Sequence, residues 1–199
     1  MVRKAYRYRI YPSKSQVSLL EQTLEICRWV YNDTLALRKN AWEQEQHSIS
    51  LYETNKILTQ WKKERPDLNQ VHSQVLQNVQ MRVDLAFKAF FRRVKAGEKE
   101  PGFPRFKGKG RYDSFTYPQS GFKLEGDRLH LSKIGDVRVV LHRPIEGTIK
   151  TLTIRRSSTG KWYACFSVEC DPFPVPQKET VVGIDVGLES FATLSNGEK

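Results

Sequence analysis

Residues 97–110 read GEKEPGFPRFKGKG, and this stretch, dense in Gly, Pro and Lys, separates two parts of the chain with different periodicities. Before it, apolar residues recur at three- and four-residue steps. Val17, Leu20, Leu24, Cys27, Tyr31 and Leu35 mark one helix face running to about residue 45, and Ser13 with Gln16 three residues on forms its capping box. A second helix is predicted over 51–64, ending ahead of Pro66, and a third over about 69–95, with Val75, Val79, Val83, Phe87, Phe90, Phe91 and Val94 in its apolar stripe. Three helices with short links make a small bundle.

After the Gly-Pro-Lys stretch the pattern changes to period two. Strands are predicted at 115–117, 121–124, 128–131, 137–141, 148–155 and 162–169, the last two joined as a hairpin by SSTG at 157–160. Such short strands at regular turns imply a small antiparallel barrel or sandwich. The strand at about 3–11 joins it, so the expected class is α+β, a helical bundle inserted into a small antiparallel β-barrel. Pro172, Pro174 and Pro176 then form an extended linker. Residues 180–199 (TVVGIDVGLESFATLSNGEK) read as a strand, a Gly-flanked Asp185 and a second strand. About twenty residues are too few to close a core, so this reads as the opening hairpin of a further domain, with apolar edges left exposed.

The net charge of +11 is concentrated. Arg3, Lys4, Arg7, Arg9 and Lys14 face no acid within residues 1–14. Residues 92–111 hold Arg92, Arg93, Lys95, Lys99, Arg105, Lys107, Lys109 and Arg111 against two acids, so these two windows carry the whole excess. A polyanion is the expected partner, nucleic acid ahead of an anionic membrane surface, and the two windows are expected to lie side by side as one polyphosphate cradle. Aromatics are interleaved in both. Tyr6, Tyr8 and Ile10 alternate against Arg7 and Arg9, a pattern shared by base-stacking rings and by the inner face of any half-buried strand. Gln70, Gln74 and Gln77 share one helical stripe, and an amide can pair bidentately with adenine; for Gln70 and Gln74 a plain solvent face is favoured. Trp29, Trp42, Trp61 and Trp162 are expected to pack internally. The four histidines show no ligand spacing.

No stretch approaches the roughly 18 apolar residues of a spanning helix, and MVRKAYRYRIYP lacks the apolar region of a secretion signal. A cytoplasmic protein is expected. Cys27, Cys165 and Cys170, odd in number and without a C-x-x-C pair, suggest reduced thiols and no zinc site.

Several segments also recur as an ordered set. They are the basic strand ending Tyr11-Pro12, R-W-V-Y-N at 28–32, Q-N-V at 77–79, A-F-K-A-F-F-R-R at 86–93, G-F-P-R-F-K at 102–107 and G-I-D-V-G at 183–187. In order and spacing the set closely resembles the N-terminal half of TnpB-type (OrfB) transposon-associated proteins, compact RNA-guided DNA nucleases. The resemblance implies an oligonucleotide-binding-like wedge barrel (1–12 and 97–172), an inserted helical recognition domain (13–96), and a linker with the first strands of an RNase H-like (RuvC) nuclease domain (173–199). It implies RNA, as a transposon-end guide, and DNA as partners. Tyr52, Gln77 and Thr116 match positions that contact a short motif flanking the target, and Ser73 stands where the family can have Lys. Asp185 matches the first of three carboxylates that hold Mg in the complete enzyme; with the other two missing, Mg is not expected to bind tightly here. The chain is therefore expected to bind without cutting, as a repressor does, unless a separate C-terminal fragment completes the nuclease domain.

Overall fold

β1 (Val2–Tyr11) is the first strand of the chain and lies inside a seven-stranded antiparallel sheet whose other members come more than a hundred residues later. The computed structural model describes residues 1–172, 181–187 and 191–197. Between β1 and the rest of the sheet run α1 (Lys14–Glu45), α2 (Leu51–Glu64), a 3-10 turn (Pro66–Gln70) and α3 (Ser73–Lys95). Then follow β2 (Ser114–Tyr117), β3 (Phe122–Glu125), β4 (Arg128–Leu131), β5 (Gly135–Val140), β6 (Thr148–Arg156) and β7 (Trp162–Cys170). Spatial order is β2-β6-β7-β1-β5-β4-β3. The two edge strands, β2 and β3, are consecutive in sequence and joined by residues 118–121, which brings the edges together into a nearly closed barrel. The α+β class and the insertion of the helices after β1 are as expected.

Alternation makes the barrel. Tyr6, Tyr8 and Ile10 of β1 are buried against Trp162, Ala164, Phe166 and Val168 of β7, with Leu152, Ile154, Phe115, Tyr117, Leu129, Leu131, Val137 and Val139 completing the interior. The Tyr8 hydroxyl donates to the Arg143 carbonyl at 3.0 Å, and that of Tyr117 to the Ser132 carbonyl at 3.0 Å, so neither polar tip is stranded. The open question over β1 is settled: Tyr6 and Tyr8 are core, and only Tyr11 among the three tyrosines is exposed.

The helices extend the same core. Leu20, Leu24, Cys27, Val30, Tyr31 and Leu35 of α1 and Val75, Leu76, Val79, Val83 and Phe87 of α3 are buried in one cluster with the barrel interior. Ser13–Gln16 and Ser50–Glu53 both form complete capping boxes, each worth about 1 kcal/mol. α1 is clipped to α3 by a nearly buried ion pair, Arg38 to Asp84 at 3.0 Å.

Three expectations need correction. The third helix begins at Ser73 rather than about 69, because Val71 is extended (φ −107°, ψ 141°) between the 3-10 turn and the His72 cap. Gln70 is therefore off the helix and accepts from the Gln22 amide, and Gln74 accepts from Ser120, so the three-glutamine stripe does not exist. Trp42 is exposed, near the end of a helix whose buried residues stop at Leu35, whereas Trp162 is buried and Trp29 meets Trp61 edge-on at 5.3 Å.

Beyond Pro172, Ile184–Asp185 (β8) pairs antiparallel with Thr193–Leu194 (β9), as a hairpin reading expects. Val182, Ile184 and Val186 are exposed there. Pro174 and Pro176 of the linker lie outside the described residues. Among the described residues, no helix is long and apolar enough to cross a membrane.

Candidate nucleic-acid interface

The outward face of the barrel gathers cations and rings that the sequence scatters. Register places Ser114, Arg155, Tyr163, Arg9 and Val140 in one row across β2, β6, β7, β1 and β5. The row on one side runs Thr116, Thr153, Cys165, Arg7; that on the other runs Tyr11, Arg138, Arg128. Five arginines and two tyrosines thus share one face, because every second residue of a strand projects to the same side.

The guanidiniums are pre-positioned by the rings. Arg7 stacks over Tyr163 at 3.9 Å, and Arg9 lies 5.4 Å from Tyr163 and 5.3 Å from Tyr11. Such contacts fix a cation without neutralising it, unlike an acid. Arg9 also carries a buried Nη1 with no hydrogen-bond partner among the described residues. The rest of the first window behaves differently. Arg3 is held by Glu169 at 3.1 Å, and hydrogen bonds from Lys150 and Arg3 hold that carboxyl below its usual range. Lys4 projects to the opposite side of β1, 4.0 Å from Glu146.

A cleft of about 660 Å3 borders this face, lined by Gly110 and Arg111 of the second window and by Arg155, Arg156 and Ser157 of the β6–β7 hairpin. Arg155 is paired with Asp113 and Arg156 with Glu21. Arg155 thus belongs both to this cleft and to the row containing Arg9. The two windows connect through a residue in neither, and only the end of the second window takes part.

The Gly-Pro-Lys loop is anchored at two of the segments that recur as an ordered set. Asn32 clamps the Lys107 backbone from both sides, accepting from its N–H at 2.8 Å and donating to its C=O at 3.0 Å, and Arg28 adds a bond to the same carbonyl. Farther up, Arg93 donates to the carbonyls of Pro101 and Gly102, and Phe103 packs edge-on to Phe87 and Phe90. R-W-V-Y-N and A-F-K-A-F-F-R-R are the two surfaces that hold G-F-P-R-F-K. Arg92, Arg105, Lys109 and Arg111 remain exposed on this frame, and the Lys107 ammonium lies 5.7 Å from the Tyr31 ring.

Tyr52 and Gln77 are both exposed, on α2 and α3. Thr116 is half-buried; its hydroxyl bonds with Thr153 and accepts from Arg82 of α3 at 2.8 Å. Lys62 of α2 donates to the Ser73 hydroxyl at 2.7 Å, so an ammonium stands at Ser73 although its side chain has none. Asp185 is exposed on β8, and among the described residues no three His, Cys, Asp or Glu side chains converge on a metal position. The described residues do not fit a metal-dependent cleavage centre, and no cleavage step follows from them. Burial pushes the Cys27 thiol up to about 12, which leaves it inert as a nucleophile.

Sequence reasoning missed Tyr163, Arg155, Arg138 and Arg128, which lie outside both dense windows. The available signal was alternation: each occupies an outward position of a strand predicted to join the sheet.

Residues 1–47 match a family model described as a helix-turn-helix domain; here that segment is a strand followed by one long helix. Along its whole length the chain is similar to a Streptomyces pristinaespiralis protein named "Putative RNA-guided DNA endonuclease", 34% identical over an aligned stretch of 204 residues that covers 100% of this chain and 49% of that protein. Likewise it is 34% identical over 199 residues to "Putative RNA-guided DNA endonuclease InsQ" of Escherichia coli strain K12, covering 98% of this chain and 48% of InsQ. The chain spans about half the length of the curated relatives it matches.

Proposed function

We propose, taking as premise that the chain belongs to the TnpB/OrfB-type family, that it is a nucleic-acid-binding unit whose barrel face engages phosphate backbones and bases. One observation carries this reading: Arg155, Tyr163, Arg7, Arg9, Tyr11, Arg138 and Arg128 share a single outward face, with Arg7 and Arg9 stacked on rings. Cations neutralise phosphates and the rings offer faces for bases.

In this reading residues 1–12 and 97–172 form the oligonucleotide-binding-like wedge and residues 13–96 the recognition bundle. Residues 173–199 open an RNase H-like domain. The wedge and its anchored loop hold a transposon-end guide RNA and its heteroduplex with target DNA by shape and phosphate. Pairing with the guide supplies the sequence information. Tyr52 and Gln77 face the duplex that flanks the target, with Lys62 presented at Ser73 as an added phosphate contact and Thr116 tying β2 to α3 beneath them. The catalytic and Mg-binding role of Asp185 belongs to the complete family enzyme. Cytoplasmic location follows from partners of this kind.

The test is equilibrium binding of the purified chain to transposon-end RNA across a range of salt. Affinity should fall steeply as salt rises, and Arg7→Ala and Arg9→Ala should each lower the log–log slope by about 1. No binding, or affinity indifferent to salt, overturns the proposal.

A further inference from the structure

A second surface is built from the end of α3 and the loop that follows it. Phe91 is 59% exposed, Val94 47% and Phe103 44%. These are not scattered side chains. Phe91 packs on Phe90 at 5.2 Å and lies nearly parallel to Phe87 at 6.4 Å, while Phe103 meets Phe90 at 5.3 Å and Phe87 at 5.5 Å. Val94, one turn beyond Phe91, extends the same helix face. The buried Phe87 and the Arg93 bonds to the loop carbonyls hold the exposed rings in place. A contiguous aromatic patch on a monomer marks a binding surface more often than chance.

Charge identifies the occupant. Residues 88–106 hold six cations against two acids. Arg92, Lys95, Lys99 and Arg105 have no ion-pair partner among the described residues. Lys88 and Lys95 stand three and four residues either side of Phe91, on its own helix face. An apolar protein partner would have to bury Arg92, Lys95, Lys99 and Arg105 unpaired, which is costly; Lys88 is already tied to Asp84 at 2.9 Å. A duplex would satisfy the cations yet leave the rings idle, since its base faces are stacked inside. Unpaired nucleotides satisfy both, with phosphates on the ammonium and guanidinium groups and bases on the rings.

We propose that the α3 end and the loop carrying Phe103 form a stacking platform for a single-stranded nucleic acid, with Phe91 as its central ring. Only the partner class rests on the function proposed above; the patch shares no residue with the barrel rows. The experiment compares a fluorescent oligothymidylate with a duplex of equal length, using the full chain. Phe91→Ala should weaken the single strand about ten-fold while leaving the duplex within about two-fold, and Phe91→Trp should restore single-strand binding. Arg9→Ala should weaken both. Unchanged single-strand affinity in Phe91→Ala, or equal loss on both probes, overturns the platform. So does a shift from dimer to monomer in that variant, which would assign the patch to a second copy. If the unaltered chain binds neither probe, the nucleic-acid reading itself fails.

Discussion

Residues 1–14 deliver Arg7 and Arg9 from the interior of a sheet, hydrogen-bonded to β7 along nearly all of β1 and to β5 at its end. Residues 92–111 deliver their cations from a helix end and a loop tied down by Asn32, Arg28 and Arg93. The compositions are alike, yet the strand fixes each guanidinium relative to its neighbours, while the loop fixes only its anchor points. A rigid face suits a helix-shaped ligand of constant geometry. A loop between anchors can follow an irregular strand.

The largest effect should come from breaking the rigid partner. Tyr8→Ala removes a fully buried ring and its hydroxyl bond to Arg143, and should destabilise the chain by about 4 kcal/mol in urea unfolding. Loss below about 1 kcal/mol would mean that β1 does not hold the barrel together.

Acid should separate the regions next. Burial alone would raise the Asp84 carboxyl, but hydrogen bonds from Lys88 and Arg38 outweigh it and hold the group below its usual range. Because folding depresses this pKa, the contribution of Asp84 is complete above the unfolded value of about 3.9 and drains away as pH falls through the lower folded value. Wild type should therefore exceed Asp84→Asn by about 2 kcal/mol at neutral pH, with the gap closing on acidification. A gap independent of pH would remove the carboxylate from the explanation. The helices carrying the loop should loosen first, before the strand window does.

The smallest effect sharpens the contrast. Asn32→Ala loses both bonds to Lys107 and should cost about 1.5 kcal/mol, with hydrogen exchange at the Lys107 amide accelerated and β1 amides unchanged. Equal acceleration in β1 would show that loop and strand open as one unit.

The sequence by itself determined the elements, because hydrophobic period and turn chemistry are local. The capped helix after Ser13, the SSTG hairpin, the change of period after residue 97 and the alternation of Tyr6, Tyr8 and Ile10 all lie within a few residues of the signals that produce them, although only the structure put those three side chains inside. It also placed the basic excess in the two windows, which does not depend on folding. The start of α3 was misplaced because the break at Val71 is a backbone conformation that the apolar pattern does not record. Only the tertiary structure decided which cations work together. Arg155 stands beside Tyr163 and Arg9 through the pairing of β6, β7 and β1, the last of these contacts closing about 150 residues of chain. Register of that kind is fixed by packing across the barrel, and a linear sequence carries no local mark of it.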